Sequence, residues 1–419
     1  MACLLVLVAG CGSSGTGSGP HGQRTRTPSA SAPAPGPRGP AFGLTEDNAD
    51  LLWAPGSAPL GLDAFAGAQA ELTALHPSYL RLLIDWARLQ PSPQSPPRLE
   101  DAASGCARRV RPCGAYAGVR EELAAIASQQ RANRGSFKVV IDVFGAPSWA
   151  ALAPTGCELA GTTAFARPLL PQALASYRAL IGSLLHLGRE EGVALEWWSP
   201  WNEPNDPRFI SPQRADCASD SPTLSPALYA QLARAMAAEL QAAGGTHHLI
   251  LGELNDLEVD SPHTTSVSEF VEALPADVLC LGAVWSMHLY ARYGSGGQPL
   301  EGVSTLERAL DARGGCAAAA PIWVTEAGAG APHPGLPTVG DSTTEGREGC
   351  LALQRQLLSW YGDSRVQAVF QYSFREDPAF PVGLLSADLS ELLPPYRLWL
   401  AWSRLRASDQ LPPTAAACA

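Results

Sequence analysis

The stretch VALEWWSPWNEPN, Val193 to Asn205, sets an amide and a carboxyl group at the end of a hydrophobic run. Val193, Leu195, Trp197 and Trp198 suit a buried strand. Pro204 lacks a backbone donor and stops the ladder there. Packing wants neither Asn202 nor Glu203 at that point. A carboxyl group so placed can give and take a proton, and the amide beside it can hydrogen-bond a polar ligand. The plainer reading is an Asx/Pro turn that closes a strand. Two tryptophans before Ser-Pro and a third directly before Asn-Glu-Pro weigh against it.

W-N-E-P at a strand end resembles the acid/base motif of the clan A glycoside hydrolases. These are retaining (β/α)8-barrel enzymes with one glutamate after the fourth strand and another after the seventh. The resemblance implies a second hydrophobic strand ending in Glu, and Pro321-Ile322-Trp323-Val324-Thr325-Glu326 supplies it. The interval of 326 − 203 = 123 residues has room for three βα units of about 30 residues each plus loops. It further implies Glu203 as acid/base, Glu326 as nucleophile and Asn202 as partner of the sugar 2-hydroxyl. Retaining chemistry needs the two carboxyl groups about 5–5.5 Å apart, in environments that ionise them differently.

The elements that must position these groups read as an α/β chain, a TIM barrel. Ala41 to Asp47 forms strand one, followed by a helix near Asp63–Leu75. Strand two, Tyr79 to Ile84, carries Arg81, which is costly to bury without a carboxylate. The resemblance pairs Arg81 with Glu326. A helix over 119–131 sets Val119, Leu123 and Ile126 on one face, and strand three is Lys138 to Phe144. Its ending, Gly145-Ala146-Pro147-Ser148-Trp149-Ala150, resembles the β-xylosidase and α-L-iduronidase families more than the cellulases. Trp149 is a candidate sugar platform or a loop-packing residue, and Asp142 a structural carboxylate.

Helix three spans about Pro171–Leu187, and Leu228, Leu232, Met236 and Leu240 stripe helix four. Strand five, His248 to Glu253, ends in a rival carboxylate, though Glu253 has neither the Asn before it nor the Pro after it. Strand six, Ala283 to Tyr290, ends in H-x-Y. The resemblance implies that Tyr290 hydrogen-bonds the nucleophile and that His288 helps hold the site. Strand eight, Val366 to Phe374, departs from the clan, which commonly ends it in tryptophan; Tyr372 and Phe374 are the aromatics here. Arg88, Arg208, Arg292 and Arg375 all follow strand ends, and none is assignable as a clamp for an acidic sugar.

Composition bounds the alternatives. The net charge of −11 gives no footprint for nucleic acid. Lys138 is the one lysine and begins a strand, so Schiff-base chemistry, which needs a strand-end lysine, is excluded. Neither G-x-S-x-G nor H-E-x-x-H nor C-x-x-C occurs, so serine hydrolase, zinc hydrolase and zinc-ribbon readings fail. No metal and no cofactor is expected.

The N-terminus, MACLLVLVAGCG, has an apolar run far shorter than the ~20 residues that span a bilayer. Val8-Ala9-Gly10-Cys11 resembles a bacterial lipobox, which implies a signal peptide over 1–11 and lipidation of Cys11; an ordinary signal peptide is the alternative. Either implies export. Residues 12–40, rich in Gly, Ser and Pro, read as a disordered tether. One domain follows over 41–408, with a tail over 409–419. Beyond Cys3 and Cys11, eight of the ten cysteines remain, and bridges Cys106–Cys113 and Cys157–Cys217 are expected. The sequence offers no choice of pairing for Cys280, Cys316, Cys350 and Cys418. The reading is an exported, monomeric retaining β-glycosidase acting on an oligo- or polysaccharide, anchored to the membrane by its N-terminal lipid and without nucleic-acid partners. The alternative is a glycan-binding lipoprotein on the same barrel without turnover.

Overall fold

A computed structural model describes residues 39–46, 62–100, 118–131, 137–218, 220–257, 261–291, 302–329, 344–377, 380–405 and 415–418. The chain divides into the segment Met1–Gly36, outside the described residues together with the expected lipobox and nearly all of the tether, and the unit Pro37–Ala419. In chain order the second unit contains β1 (Ala41–Glu46), α1 (Leu62–Leu75), β2 (Tyr79–Asp85), α2 (Trp86–Leu89), α3 (Val119–Arg131) and β3 (Lys138–Phe144). Then come α4 (Ala173–Glu191), β4 (Leu195–Ser199), α5 (Ser225–Ala243), β5 (His248–Asn255), α6 (Val267–Ala273) and α7 (Ala276–Leu279). The chain goes on through β6 (Gly282–Ala291), α8 (Gly302–Arg313), β7 (Ile322–Ala329), α9 (Thr344–Gly362), β8 (Val366–Tyr372) and α10 (Pro394–Ser403). The strands close in sequence order, β1 to β8 and back to β1, every pairing parallel. This is a (β/α)8 barrel.

Two apolar clusters follow from the period of two along each strand. Val139, Ile141 and Val143 of β3 point outward, into the cluster shared with the helices. Val140 points inward, where it packs with Ile250, Val284, Trp323, Ala368 and Phe370, and with Tyr79 and Trp197 at the margin. These aromatic rings fill the lower barrel: Trp197 and Trp323 lie 4.4 Å apart by centroid, and Tyr79 and Trp323 4.7 Å. Lys138, at the start of β3, is exposed beside Glu196 at this same end, remote in the strand from the end that carries a catalytic group in such barrels. The helices cover the outside through stripes such as Tyr177, Ile181, Leu184 and Leu185 of α4. Gly192, at φ 75°, takes the left-handed conformation that ends α4 and turns the chain into β4.

Among the described residues, three disulfides tie the rim and the outer layer. Cys157, after β3, is bonded to Cys217, after β4, with Cα atoms 4.9 Å apart. Cys280 bonds Cys316, and Cys350 of α9 bonds Cys418 in the short turn 415–418. Cys280 is thus not a free buried thiol. Cys106 and Cys113 lie outside the described residues, and a bridge between them stays a proposal. The Cys350–Cys418 bond closes a separation of 68 residues, for which loop entropy gives an upper stabilisation of roughly 4 kcal/mol, against the about 2–4 kcal/mol that such bonds typically contribute. The double variant Cys350→Ser/Cys418→Ser should therefore melt several degrees lower by circular dichroism; an unchanged Tm would mean that packing of α9 and α10 alone holds this edge.

Candidate active site

Above the aromatic layer the inward positions become polar. Period-two alternation carries β2 from Tyr79 to Arg81, β3 from Val140 to Asp142, and β6 from Val284 through Ser286 and His288 to Tyr290. Two strands break the alternation to add a carboxylate. In β5, Leu251 pairs with Trp285 and Leu254 with Met287, so Gly252 and Glu253 stand opposite Ser286 alone. Gly252 is at φ 101°, and a Cβ there would lie 2.4 Å from the Ser286 carbonyl oxygen. Only glycine fits this bulge. It turns Glu253 inward, with its own backbone at φ 51° and its N–H donating to Ser286 Oγ. In β7, Val324 pairs with Val369 and Ala327 with Gln371, which doubles Thr325 and Glu326 at one step and brings both inward. Expected to end its strand, Glu326 instead lies within it, because β7 continues to Ala329.

Glu203 follows β4 on the loop Pro200 to Asp206 and is also left-handed, at φ 36°. Such a backbone is uncommon for a residue with a side chain and costs of order 1–3 kcal/mol. Neighbouring contacts hold it. The buried Asn205 side chain accepts from the Asn255 N–H and donates to the carbonyls of Asn255 and Thr265, clamping this loop to the end of β5. Trp198 and Trp201 are buried, their indole N–H groups given to the carbonyls of Leu195 and Phe209. The tryptophans around the motif are therefore packing residues that fix where Glu203 emerges.

The side chains converge on one cluster. Arg81, fully buried, donates from Nη1 to Glu326 Oε1 at 2.8 Å. Its Nη2 reaches Asp142 Oδ2 at 2.9 Å, Asn202 Oδ1 at 2.9 Å and Glu253 Oε2 at 3.0 Å. Tyr290 donates to Glu326 Oε2 at 2.5 Å. His288 lies between carboxylates, with Nδ1 2.9 Å from Glu203 Oε1 and 3.4 Å from Glu326 Oε2, and Nε2 2.8 Å from Glu253 Oε2. One carboxylate oxygen of Glu203, one of Glu326 and a ring nitrogen of His288 all fall within 4.8 Å of one another. Such a triplet has the donor types for a metal, and Arg81 already pairs with Oε1 of Glu326 at 2.8 Å.

Burial and charge set the protonation of the cluster. Burial raises the Glu203 carboxyl above the ordinary range, against the pull of its hydrogen bond to His288. Burial disfavours charge on His288, yet Glu326, Glu203 and Glu253 together raise it to about 10. Burial also opposes ionisation of Glu253, but Arg81 and His288 hold that carboxyl down at about 2. Burial raises Asp142 to about 8, with Arg81 opposing and Glu253 reinforcing the shift. Burial, then the charge of Glu326, keeps the Tyr290 hydroxyl protonated and hence a donor.

Several residues of the rim were not legible in advance. Arg208 forms a two-point pair with Asp206, Nε to Oδ1 at 2.9 Å and Nη2 to Oδ2 at 2.8 Å, and Nη2 comes 3.3 Å from Glu203 Oε2. Asn255 donates to Asp206 Oδ2 at 2.9 Å. Tyr372 sits by Tyr290, and Phe380 packs edge-on against both, at 4.9 Å from Tyr290 and 5.6 Å from Tyr372. Phe374 is fully buried in the outer cluster and offers no face to a ligand. Trp149 is half-buried, edge-on to Trp86, with its indole N–H on the Gln90 carbonyl. Arg375 is buried beneath the rim, and Arg292 lies outside the described residues. The proximity of Arg208 to Glu203 had a signal in its spacing, five residues on from the motif, but nothing in the sequence fixes how a loop turns back.

Tyr290→Phe removes one hydrogen bond from Glu326 and nothing else of size. Bonds to a charged group contribute about 1.5–3 kcal/mol, so any activity that depends on Glu326 should fall roughly 10–100-fold in kcat/KM with little change in Tm. A loss of stability with unchanged kcat/KM would make Tyr290 a packing residue.

No protein-family model matches the sequence, and no curated protein does. Solved structures match along most of the chain. A family 39 glycoside hydrolase from the gut symbiont Bacteroides cellulosilyticus WH2 is 17% identical at a TM-score of 0.55, the match covering 88% of this chain and 64% of that one. This chain thus spans less than two thirds of that protein's length. A family 5 glycoside hydrolase, GH5_18 from Streptomyces cattleya, is 18% identical at a TM-score of 0.53, covering 90% and 83% of the two chains. An endo-β1,6-glucanase is 14% identical at 0.54, covering 88% and 76%. At these identities the likeness is one of fold: the chain shares the (β/α)8 barrel with these proteins.

Proposed function

We propose that the chain is an exported retaining glycoside hydrolase that cleaves β-glycosidic bonds of an oligo- or polysaccharide. The observation that carries this reading is that one carboxylate oxygen of Glu203 and one of Glu326 lie within 4.8 Å of each other, the two groups held in unlike surroundings at the same end of the barrel. That spacing suits direct attack by one carboxylate; inverting enzymes leave about 6.5–9.5 Å for a water. Glu326 is braced by Arg81 and Tyr290 and is the nucleophile. It bonds to the anomeric carbon as the glycosidic C–O bond breaks. Glu203, whose hold on its proton burial strengthens, gives that proton to the departing oxygen. As a carboxylate it then takes a proton from water, which attacks the anomeric carbon, frees Glu326 and restores Glu203.

Asn202 gives its carbonyl oxygen to Arg81, which orients the amide so that Nδ2 is offered to the sugar 2-hydroxyl. Tyr372, with Phe380 behind it, takes the place of the tryptophan floor. A panel of aryl β-glycosides, followed by NMR of the first-formed anomer on the sugar that reacts, tests the reading. Release of aglycone with retained configuration is expected. Binding without release would make the chain a glycan-binding protein, and an inverted product would remove the nucleophile from the scheme.

Export is supported by three disulfides in the barrel unit. No helix among the described residues is long and apolar enough to cross a membrane. We assign anchoring to lipid on Cys11 from the resemblance of Val8-Ala9-Gly10-Cys11 to a lipobox. Cys11→Ser should release the protein from the membrane fraction or block its processing; unchanged fractionation would demand another anchor.

A further inference from the structure

Within this cluster, the double displacement leaves the buried, ionised Glu253 without a task. Glu253 has no exposed surface. It is carried on a bulge that only Gly252 permits, in a left-handed conformation. A carboxylate so placed must be held by cations or donors, and three converge on its Oε2: Arg81 Nη2 at 3.0 Å, His288 Nε2 at 2.8 Å and Thr325 Oγ1 at 2.6 Å. Arg81 already has Glu326 as a counter-charge, and its Nη2 also donates to Asp142 and Asn202. Neutralising Arg81 therefore does not require a further carboxylate. The partner that does require Glu253 is His288.

We propose that Glu253 is a positioning residue that acts through His288: by accepting Nε2–H it aims Nδ1–H at Oε1 of Glu203 and leaves Oε2 as the oxygen that carries the transferable proton. The proposal rests on the glycosidase reading of Glu203. Its geometry is a line of three groups from three successive strands or strand ends, Glu253 of β5, His288 of β6 and Glu203 after β4. Both ring nitrogens of His288 face carboxylate oxygens at hydrogen-bond distance, and only the imidazolium donates to both. A neutral ring that donates to Glu253 would instead have to accept at Nδ1 from a proton on Oε1 of Glu203, the oxygen turned away from Arg208. The groups around His288 are Glu203, Glu253 and, at 3.4 Å from Nδ1, Glu326. Arg81 and Thr325 face Glu253, while Arg208 and Asn255 approach Glu203 from the Oε2 side.

The consequence is a choice between the two oxygens of Glu203. Oε1 accepts from His288 and cannot at the same time hold a proton pointed along that bond. The acidic proton belongs on Oε2, the oxygen on the side of the exposed Arg208, in the lone pair that the longer 3.3 Å contact from Nη2 leaves open. After transfer, the imidazolium at Oε1 stabilises the new carboxylate, so the group is steadied in its basic role without being kept from its acidic one. The raised affinity of His288 for its proton and the lowered one of Glu253 agree with this arrangement.

Glu253→Gln keeps the shape and removes the charge. Nitrogen-15 NMR of the histidine-labelled full chain should show both His288 ring nitrogens protonated through neutral pH in the native protein. In the variant the titration should move down by about one to three pH units, the size of an adjacent opposite charge. On substrates with sugar or alkyl leaving groups, which need the acid, kcat/KM should fall about 100-fold, the scale of general-acid assistance. On a dinitrophenyl glycoside, which needs none, the loss should be less than about threefold. Glu253→Asp keeps the charge that Arg81 faces but withdraws the oxygen from Nε2. It should show the same leaving-group-selective loss, which keeps the test open if Glu253→Gln does not fold. Equal losses on all leaving groups, or an unmoved His288 titration, would overturn the proposal. If the native protein released no aglycone from any glycoside, the functional reading would fall, while the NMR titration would still decide whether Glu253 governs His288.

Discussion

Glu326→Ala should leave no measurable turnover on any glycoside, whatever its leaving group. The alanine has no oxygen to form the glycosyl ester, and the Arg81 and Tyr290 donors that now meet at Glu326 would face an empty space. Loss of a catalytic nucleophile costs on the order of 10⁴–10⁶-fold in kcat. Activated leaving groups do not rescue this, because bond formation rather than departure has been removed. Azide, small enough for the vacated volume, should attack from the Glu326 side and give a glycosyl azide of inverted configuration. A 2-deoxy-2-fluoro glycoside of the accepted sugar should label the native protein at Glu326 in a mass-mapped peptide. Label on Glu253 or Glu203 would overturn the assignment. Glu253 is the informative alternative: it is as close to Arg81 as Glu326 is, but it has no surface on which a sugar could rest.

The contrast between those two glutamates also marks how far the sequence could be read. For Arg81, His288 and Tyr290 regular alternation agrees with what the resemblance implied, since each stands an even number of residues from an inward apolar neighbour. Glu326 and Glu253 each lie an odd number of residues from the inward Trp323 and Ile250, so the same alternation places both on the wrong face. Only the bulges at Thr325-Glu326 and Gly252-Glu253 bring them inside. Glu326 was found nonetheless, because its motif and its distance from W-N-E-P stood in for geometry. Glu253 had no motif, and its bond to His288 depends on a register shift that no local pattern announces.

The barrel itself was legible because its strands are apolar runs separated by striped helices. Their ends were less so: β4 begins at Leu195 rather than Val193, and β8 stops at Tyr372, two residues before Phe374. That shorter strand explains why Phe374 turns into the outer cluster and Phe380 comes to the site. The cysteines show the same limit. Cys157 and Cys217 follow adjacent strands, so topology brings them together. Cys280–Cys316 and Cys350–Cys418 join outer-layer segments whose nearness follows only from the finished packing.

Glu203→Ala and Glu203→Gln separate the acid from the nucleophile. Removing the acid should cost about 10²–10⁴-fold on substrates with poor leaving groups, and far less on dinitrophenyl glycosides. With those activated substrates, azide should rescue the alanine variant by giving a product of retained configuration, because Glu326 still forms the first bond. The pH dependence follows from the raised affinity of Glu203 for its proton, caused first by burial. Only the protonated form is an acid, so native kcat/KM must fall as pH rises through the folded-state value, and this basic limb should be missing from Glu203→Gln. Stability carries the same sign. A carboxyl group that holds its proton more tightly folded than unfolded stabilises the fold below its unfolded value, and that contribution is lost as pH rises through the folded one. The amide introduced by Glu203→Gln would be neutral throughout and would keep an oxygen for His288 Nδ1–H. The Tm of Glu203→Gln relative to the native protein should therefore climb as pH rises from about 4, the ordinary glutamate value, and level off above the folded value. A Tm difference that is flat across this window would mean that Glu203 is ionised in the resting fold and cannot be the acid.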